Sequence, residues 1–307
     1  MKRNTKRVLL SLLIVLLVCL PLLLKSQYLI SLMITLFIYV ILGESWNLLG
    51  GYTGQVSLGH AAFFGMGALV TRLLWTKNVP ILLSLPLGGL AAALLAMIVG
   101  IPCFRMRAAY FPIGTLALGM IALLTVGNVF IAATALSPKL LQSFELFSRY
   151  YLALGLAVLT IVLIHFFLRS RPGLAIVAIR DNEKAAAAIG IKTLKYKTLA
   201  LLVSAFLAGL AGGLYAYKHV SYYYDAPFDL NWSFAPALTT FVGGISTIAG
   251  PIVGSICFLA LSEIFAVTLG QVHVLIFGLC FILIVLFLPG GLLSIRKPHS
   301  KVLKKNH

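Results

Sequence analysis

The sequence TLALLVSAFLAGLAGGLYAY at residues 198–217 sets the fold class of this chain. It holds no charged residue, and its length matches the roughly 20 apolar residues that a helix needs to cross a bilayer. Small residues recur every four positions, at Ala205, Gly209 and Gly213. Such a stripe lets helix backbones approach closely in lipid. The stretch therefore predicts a tightly packed transmembrane helix.

Comparable apolar windows cover most of the remaining chain. They lie near residues 8–24, 28–49, 57–75, 80–101, 109–135, 150–168, 233–249, 251–269 and 271–289. Together the windows predict an all-α, polytopic transmembrane helical bundle of about ten spans in a single domain, residues 1–307. Pro236, Gly243 and Gly244 interrupt the window 233–249, so this segment is either a span or re-entrant, and eight spans is the alternative count.

The composition excludes a soluble protein. The chain is 61% hydrophobic and 10% charged, with a mean hydropathy of +1.06, whereas soluble domains are roughly half apolar and a quarter charged. The four cysteines stand singly in apolar stretches without metal-ligand spacing, so we expect no metal site. The basic and apolar start lacks an A-x-A-like cleavage site, which predicts an uncleaved first span.

The basic residues lie mainly on one side of the predicted topology. With the N-terminus in the cytoplasm, 18 of the 24 lysines and arginines fall in cytoplasmic loops and tails. The positive-inside rule therefore predicts that both termini are cytoplasmic. The net charge of +17 is then explained by attraction to anionic membrane lipid. We expect no nucleic-acid partner.

The longest predicted cytoplasmic loop, residues 169–197, has an amphipathic pattern. It predicts a short helix that begins at Pro172 and ends at Gly190. Such a helix either lies on lipid headgroups or docks into a partner protein. Asp181 and Glu183 lie in this loop, and an anionic membrane surface would repel them. The pattern therefore favours docking to a protein.

No catalytic motif accompanies the spans. The sequence contains no GxxxxGK[ST] phosphate-binding loop, no HExxH and no GxSxG with plausible partners. We therefore predict that the chain is not an enzyme, has no catalytic residue and binds no cofactor itself.

Polar residues inside apolar spans mark candidate functional positions because they are costly there. Glu44 is either a gate or coupling-site carboxylate, or a structural group bonded to a neighbouring helix. Gln55, Ser57 and His60 follow a glycine-rich run and are candidates for a translocation path, with helix capping by Ser57 as the competing interpretation. A second break, GGISTIAGP at residues 243–251, either lines the path or forms a tight turn.

Three motifs resemble the LivM-type branched-chain amino-acid ABC permeases. They are NLLGGYTGQVSLGHAAFFG at 47–65, RAAYFPIGTLALG at 107–119 and AIRDNEKAAAAIGI at 178–191. The resemblance covers roughly residues 40–292. It implies an importer in the bacterial cytoplasmic membrane, in which substrate selection lies mainly in an extracytoplasmic solute-binding protein. Its other parts would be two related permeases that form a heterodimer and two subunits that hydrolyse ATP.

The resemblance also implies residue roles. Helix 172–190 becomes the coupling helix that contacts the ATP-hydrolysing subunits, through Arg180, Asp181, Asn182, Glu183, Ala186 and Gly190. Its run departs from the EAA-x-x-x-G pattern of many ABC permeases, because Lys184 stands where that pattern has glutamate. The expected translocation-path residues are Glu44, Asn47, Gln55, Ser57, His60, Gly243 and Gly244.

Two rival functions remain open from the sequence. The same architecture could import another solute, such as urea, another amino acid, a nucleoside or a sugar. An ion-coupled secondary transporter, with Glu44 or Glu263 as carrier, would need neither ATP nor a partner, and it leaves the amphipathic loop unexplained.

Overall fold

The computed structural model describes residues 16–21, 26–104, 110–129, 145–269 and 291–293. Within these ranges the chain consists of helices joined by turns, without a β-sheet. The helices are α1 (Gln27–Trp46), α2 (His60–Thr76), α3 (Ile81–Phe104), α4 (Phe111–Val129), α5 (Leu146–Arg169), α6 (Arg171–Asp181), α7 (Glu183–Ala188), α8 (Thr193–Lys218), α9 (Asn231–Gly243) and α10 (Ala249–Leu269). A π-helical segment, Asn47–Tyr52, extends α1.

Five described helical segments are long and apolar enough to cross a membrane. They are Gln27–Tyr52, Ile81–Gly100, Phe111–Val129, Leu146–Arg169 and Thr193–Lys218. Helices satisfy every internal backbone hydrogen-bonding group, which the hydrocarbon region requires. The chain is therefore a multi-pass helical membrane protein, while the count of ten spans and the cytoplasmic placement of both termini stay predictions.

Helix α8 lies at the centre of the bundle and packs closely on α2 and α3. A Cβ built on Gly212 would lie 1.9 Å from the Phe64 carbonyl oxygen, and one built on Gly209 would lie 2.7 Å from Ala92 Cβ. Only glycine permits these backbone approaches. The predicted tight packing of the 198–217 stretch is thus confirmed.

Two buried arginines hold the end of α8. Arg72 donates to the carbonyl oxygens of His219 at 3.0 Å and Val220 at 2.9 Å. Arg149 donates to the Tyr217 carbonyl at 2.9 Å, and its guanidinium lies 4.3 Å from the centre of the Tyr217 ring. These charge-assisted bonds satisfy carbonyls that a helix C-terminus leaves without an intrahelical partner.

Two predicted boundaries are wrong. The window 233–249 is not one helix, because α9 ends at Gly243 and residues 244–248 turn the chain into α10. Gly244, at φ +134°, supplies the conformation that ends α9. At about 1.5 Å per residue, the 13 residues of α9 fall short of the roughly 30 Å hydrocarbon core.

The predicted helix 172–190 is also divided. Asn182 adopts an extended conformation, at φ −159° and ψ +104°, between α6 and α7. Two further windows lie wholly or largely outside the described residues. Of window 8–24 only residues 16–21 are described, and they are helical. Window 271–289 falls entirely outside.

Candidate functional site

The π-helical segment Asn47–Tyr52 brings together the two glycine-rich breaks. The Asn47 side chain donates from Nδ2 to the Thr247 carbonyl at 2.9 Å, and its Oδ1 accepts from the Ser246 backbone N–H at 2.9 Å. Ser246 Oγ donates to the Gly51 carbonyl at 2.8 Å. A π-segment widens the helix and is frequent at functional sites. Residues 244–248 and the end of α1 therefore form one joined unit, which we name the paired breaks.

The backbone of the paired breaks depends on its glycines. Gly243 is buried, and a Cβ there would lie 1.8 Å from the Gly250 carbonyl oxygen. Gly51 packs on Asn47, where a Cβ would lie 2.1 Å from Asn47 Oδ1. The close approach explains why glycine stands at these positions. The predicted path residues Asn47, Gly243 and Gly244 thus lie together, and their role in a path stays a prediction.

His60 and Ser57 belong to a second buried cluster, between α1, α2 and α8. His60 Nε2 lies 3.1 Å from Ser204 Oγ, and its Nδ1 lies 3.2 Å from Ser57 Oγ. Ser204 also donates to the Ser45 carbonyl at 2.8 Å. Ser45 and Ser204 exchange hydroxyl-to-carbonyl bonds, because Ser45 Oγ donates to the Ser204 carbonyl at 2.7 Å. These hydrogen bonds join α1, α2 and α8 where the three helices meet.

Ser57 does not cap α2. The N-cap of α2 is Gly59, which has no side-chain cap bond. Instead, the Ser233 hydroxyl of α9 accepts from the Ala61 backbone N–H at 2.9 Å. The Ser57 carbonyl accepts from the Trp46 indole at 2.8 Å. Capping of this span by Ser57 is therefore wrong, and the bond from Ala61 ties α2 to α9.

Glu44 and Gln55 differ in their surroundings. Glu44 is fully buried in α1, three residues before Asn47, and neither carboxylate oxygen has a hydrogen-bond partner among the described residues. An unpaired polar group at that depth is costly. Gln55 is half-buried in the extended segment that precedes α2. The part of each in a path stays a prediction.

Most of the predicted coupling residues are exposed on α6 and α7 or at their ends. Asn182 ends α6 and caps α7, because its Oδ1 accepts from the Ala185 backbone N–H at 3.0 Å. Glu183 accepts from Lys197 Nζ at 2.7 Å. Arg180 pairs with its neighbour Asp181 at 2.8 Å. Ala186 is buried beneath this surface, and its part in coupling stays a prediction, like that of the other residues.

Two turn features support this loop. Ser170 caps α6 and accepts from the Gly173 backbone N–H at 3.5 Å, and Pro172 lies in the first turn, as the sequence predicts. Gly190, at φ +88°, ends the short α7 region in a conformation that favours glycine. The start and the end of the amphipathic segment are therefore confirmed, although its middle is broken.

Arg180 connects this loop to the paired breaks. Gly54 lies two positions after the π-helical segment. A Cβ built on it would lie 3.2 Å from Arg180 Cγ and 3.7 Å from Arg180 Cα, so α6 packs directly on Gly54. Gly54 has φ +73°, which a side chain at this position would strain. Arg180 of α6 and Gly54 are therefore in direct contact, without an intervening residue.

An open groove lies beside the coupling residues. It has a volume of about 530 Å³ and is lined by Leu174, Ile189, Lys192, Lys195 and neighbouring residues. The Leu174 and Ile189 side chains are 65% and 78% exposed. Exposed apolar side chains with polar neighbours are typical of a protein-binding surface. Sequence reasoning missed this groove, which has no signature in the local sequence.

Sequence reasoning also missed four contributors to the paired breaks and to the buried cluster around His60. They are Ser45, Ser204, Ser246 and Thr247. Their signal was weak, because isolated serines and threonines are ordinary in membrane helices. Only the break GGISTIAGP marked Ser246 and Thr247 in advance.

The fold defines a multi-pass helical membrane protein, and comparison with known proteins gives its family. The family described as branched-chain amino acid transport system / permease component matches residues 28–286. The chain belongs to this family.

Curated relatives agree with that membership. The chain is 27% identical to the high-affinity branched-chain amino acid transport system permease protein LivM of Escherichia coli (strain K12) over 86% of this chain and 70% of the relative. The LivM protein of Salmonella typhimurium is 26% identical over the same shares. A probable LivM of Methanocaldococcus jannaschii is 23% identical over 50% of this chain and 49% of that protein. No solved structure matches.

Proposed function

We propose that this chain is the membrane-spanning permease subunit of a bacterial ABC importer. It would translocate branched-chain amino acids that a solute-binding protein delivers, and partner subunits would hydrolyse the ATP. Family membership and the transport function named for the relatives support the class and the solute. The chain would work in the cytoplasmic membrane with a related second permease, two ATP-binding subunits and surrounding lipid.

The contact between Arg180 and Gly54 carries this proposal. It connects the exposed loop, with its apolar groove, to the glycine-rich breaks inside the bundle. A secondary transporter would leave this loop surface unexplained. ATP-driven closure of the partner subunits would push α6, α6 would displace Gly54, and Asn47 would carry the movement to the 246–247 turn. Alternating access would follow from the rocking of these breaks.

The test is uptake into proteoliposomes that contain the chain with its co-expressed transporter subunits. Leucine, isoleucine and valine would be offered with and without ATP and with and without the binding protein, and urea and a sugar would serve as comparison solutes. We expect uptake of the three amino acids that requires both ATP and the binding protein. Uptake that persists without ATP would identify a secondary transporter and contradict the proposal. ATP-dependent uptake of only the comparison solutes would contradict the substrate class.

A further inference from the structure

A cavity between α1, α9 and α10 is separate from the paired breaks. Its volume is about 510 Å³, and the aromatic residues Tyr39, Trp232, Phe234 and Phe258 are among those that line it. This volume falls within the roughly 300–1,000 Å³ of small-molecule sites, which are mainly apolar with a few polar groups. In the predicted topology its mouth opens on the extracytoplasmic side, beside the loop that precedes α9.

The aromatic wall is rigid before any ligand binds. Tyr39 stacks on Trp232 at 5.7 Å between ring centres and meets Phe258 edge-on at 5.1 Å. Trp232 stacks in turn on Phe64 of α2 at 4.3 Å. Offset and edge-to-face pairs of this kind add stability beyond the buried area. The cavity therefore keeps its shape in the absence of a ligand.

One carboxylate gives the cavity a defined polarity. Asp229 lines it and is exposed, and Asp229 Oδ1 accepts from the Asn231 backbone N–H at 2.8 Å, which fixes the carboxylate in place. Among the described residues no lysine or arginine forms an ion pair with Asp229. The nearby Glu263 is already engaged, because its Oε2 accepts from the Tyr28 hydroxyl at 2.5 Å.

A fixed carboxylate beside aromatic faces is suited to an ammonium group. The carboxylate supplies the opposite charge, and the aromatic faces attract cations by their quadrupoles. The remaining wall, with Leu238 and Ala235, accepts an aliphatic side chain. Asn231 also lines the cavity and offers an amide donor for a ligand carboxylate, whereas the Ser262 hydroxyl already donates to the Leu259 carbonyl at 2.9 Å.

We infer that this cavity is a vestibule site that binds an amino acid with an apolar side chain, with its ammonium group on Asp229 and its side chain against Tyr39 and Phe258. The inference rests on the proposed transport function and extends it. The permease then contributes to substrate selection itself, before the solute reaches the paired breaks.

Direct binding to the purified full-length chain tests the site. Radiolabelled leucine would be titrated by scintillation proximity and displaced by leucinol, which keeps the ammonium group, or by 4-methylpentanoate, which lacks it. We expect leucinol to displace leucine and 4-methylpentanoate not to do so. Asp229→Asn keeps the acceptor for Asn231 and should weaken leucine binding about tenfold. The matched control Asp225→Asn lies on the same loop outside the cavity and should leave binding unchanged.

A second variant and a second readout separate the outcomes. Ser262→Phe should abolish binding, because the added ring occupies the cavity. No leucine binding by the wild-type chain, equal affinity in Asp229→Asn, or retention of a lipid that leucine does not displace would each overturn the inference. ATP-dependent uptake by the assembled transporter is measured in parallel. If that uptake is intact, such a result overturns the vestibule alone; loss of wild-type uptake contradicts the proposed function.

Discussion

Asn47 and Ser246, which lie almost two hundred positions apart in the chain, are joined by a 2.9 Å hydrogen bond from the Ser246 backbone N–H to Asn47 Oδ1. The Asn47 side chain also donates from Nδ2 to the carbonyl oxygen of the next residue in the turn, Thr247, at 2.9 Å. One side chain therefore joins the two glycine-rich breaks. Because its donor and its acceptor are both used, no other residue of similar size replaces it.

Asn47→Leu should disconnect the two breaks. The change leaves the Ser246 N–H and the Thr247 carbonyl without their partner, at a cost of about 1–3 kcal/mol for each group that stays buried. We expect a lower thermal midpoint in detergent and loss of ATP-dependent uptake. Asn128→Leu, the same change at an exposed position of α4, is the control. Equal thermal midpoints of the two variants would show that the hydrogen bonds of Asn47 do not stabilise the protein.

Gly212→Ala should disrupt the contact between α8 and α2. The new Cβ would lie 1.9 Å from the Phe64 carbonyl oxygen, so the helices must separate. Overpacking of this kind costs about 1–3 kcal/mol. The matched control is Gly155→Ala in α5, where a Cβ meets no atom within 4 Å. Thermal unfolding should separate the two variants clearly, and a midpoint for Gly212→Ala equal to that of Gly155→Ala would contradict the packing.

Glu44→Gln should leave the protein at least as stable as the wild type. The carboxylate is fully buried with no hydrogen-bond partner among the described residues, so a neutral amide of the same shape removes a desolvation cost. We expect an equal or higher thermal midpoint together with slower uptake, since Glu44 is a predicted path residue. A marked fall in the midpoint would indicate that Glu44 has a stabilising partner, and unchanged uptake would remove it from the path.

Asn182→Ala should loosen α7. Loss of the cap on Ala185 costs about 1 kcal/mol, which is large for a helix of six residues. Amide hydrogen exchange across residues 183–188 should become faster. Asn182→Asp keeps the accepting oxygen and should restore slow exchange. If both variants exchange alike, the cap does not hold this helix.

Much of the fold follows from local pattern. Apolar windows predict α1, α3, α4, α5 and α8, because a helix that crosses lipid needs a long apolar stretch and such a stretch is visible in the sequence. Turn chemistry at Pro172 and Gly190 likewise predicts where the cytoplasmic segment begins and ends. Both signals depend on residues that are neighbours in the chain.

The features that the sequence did not predict depend on contacts that local sequence does not reveal, most of them between distant parts of the chain. Nothing near Asn47 indicates that its partner is the 246–247 turn, since hydrogen-bond pairing across a bundle has no periodic signature. The division at Asn182 was hidden because an asparagine between an aspartate and a glutamate fits an exposed helix face as well as a helix cap. Cavities such as the one beside Asp229 arise only when three helices are placed together.

The number of leucine molecules imported per ATP hydrolysed tests the central claim most directly. It would be measured for the assembled transporter with wild-type chain, with the Arg180→Ala/Glu183→Ala double variant and with Lys184→Ala, an exposed control on α7 beside Glu183. The account predicts that import in the double variant falls to the ATP-free background while the complex still assembles, and that Lys184→Ala retains the wild-type ratio. A wild-type ratio in the double variant would contradict the claim that the Arg180 loop couples ATP hydrolysis to the paired breaks.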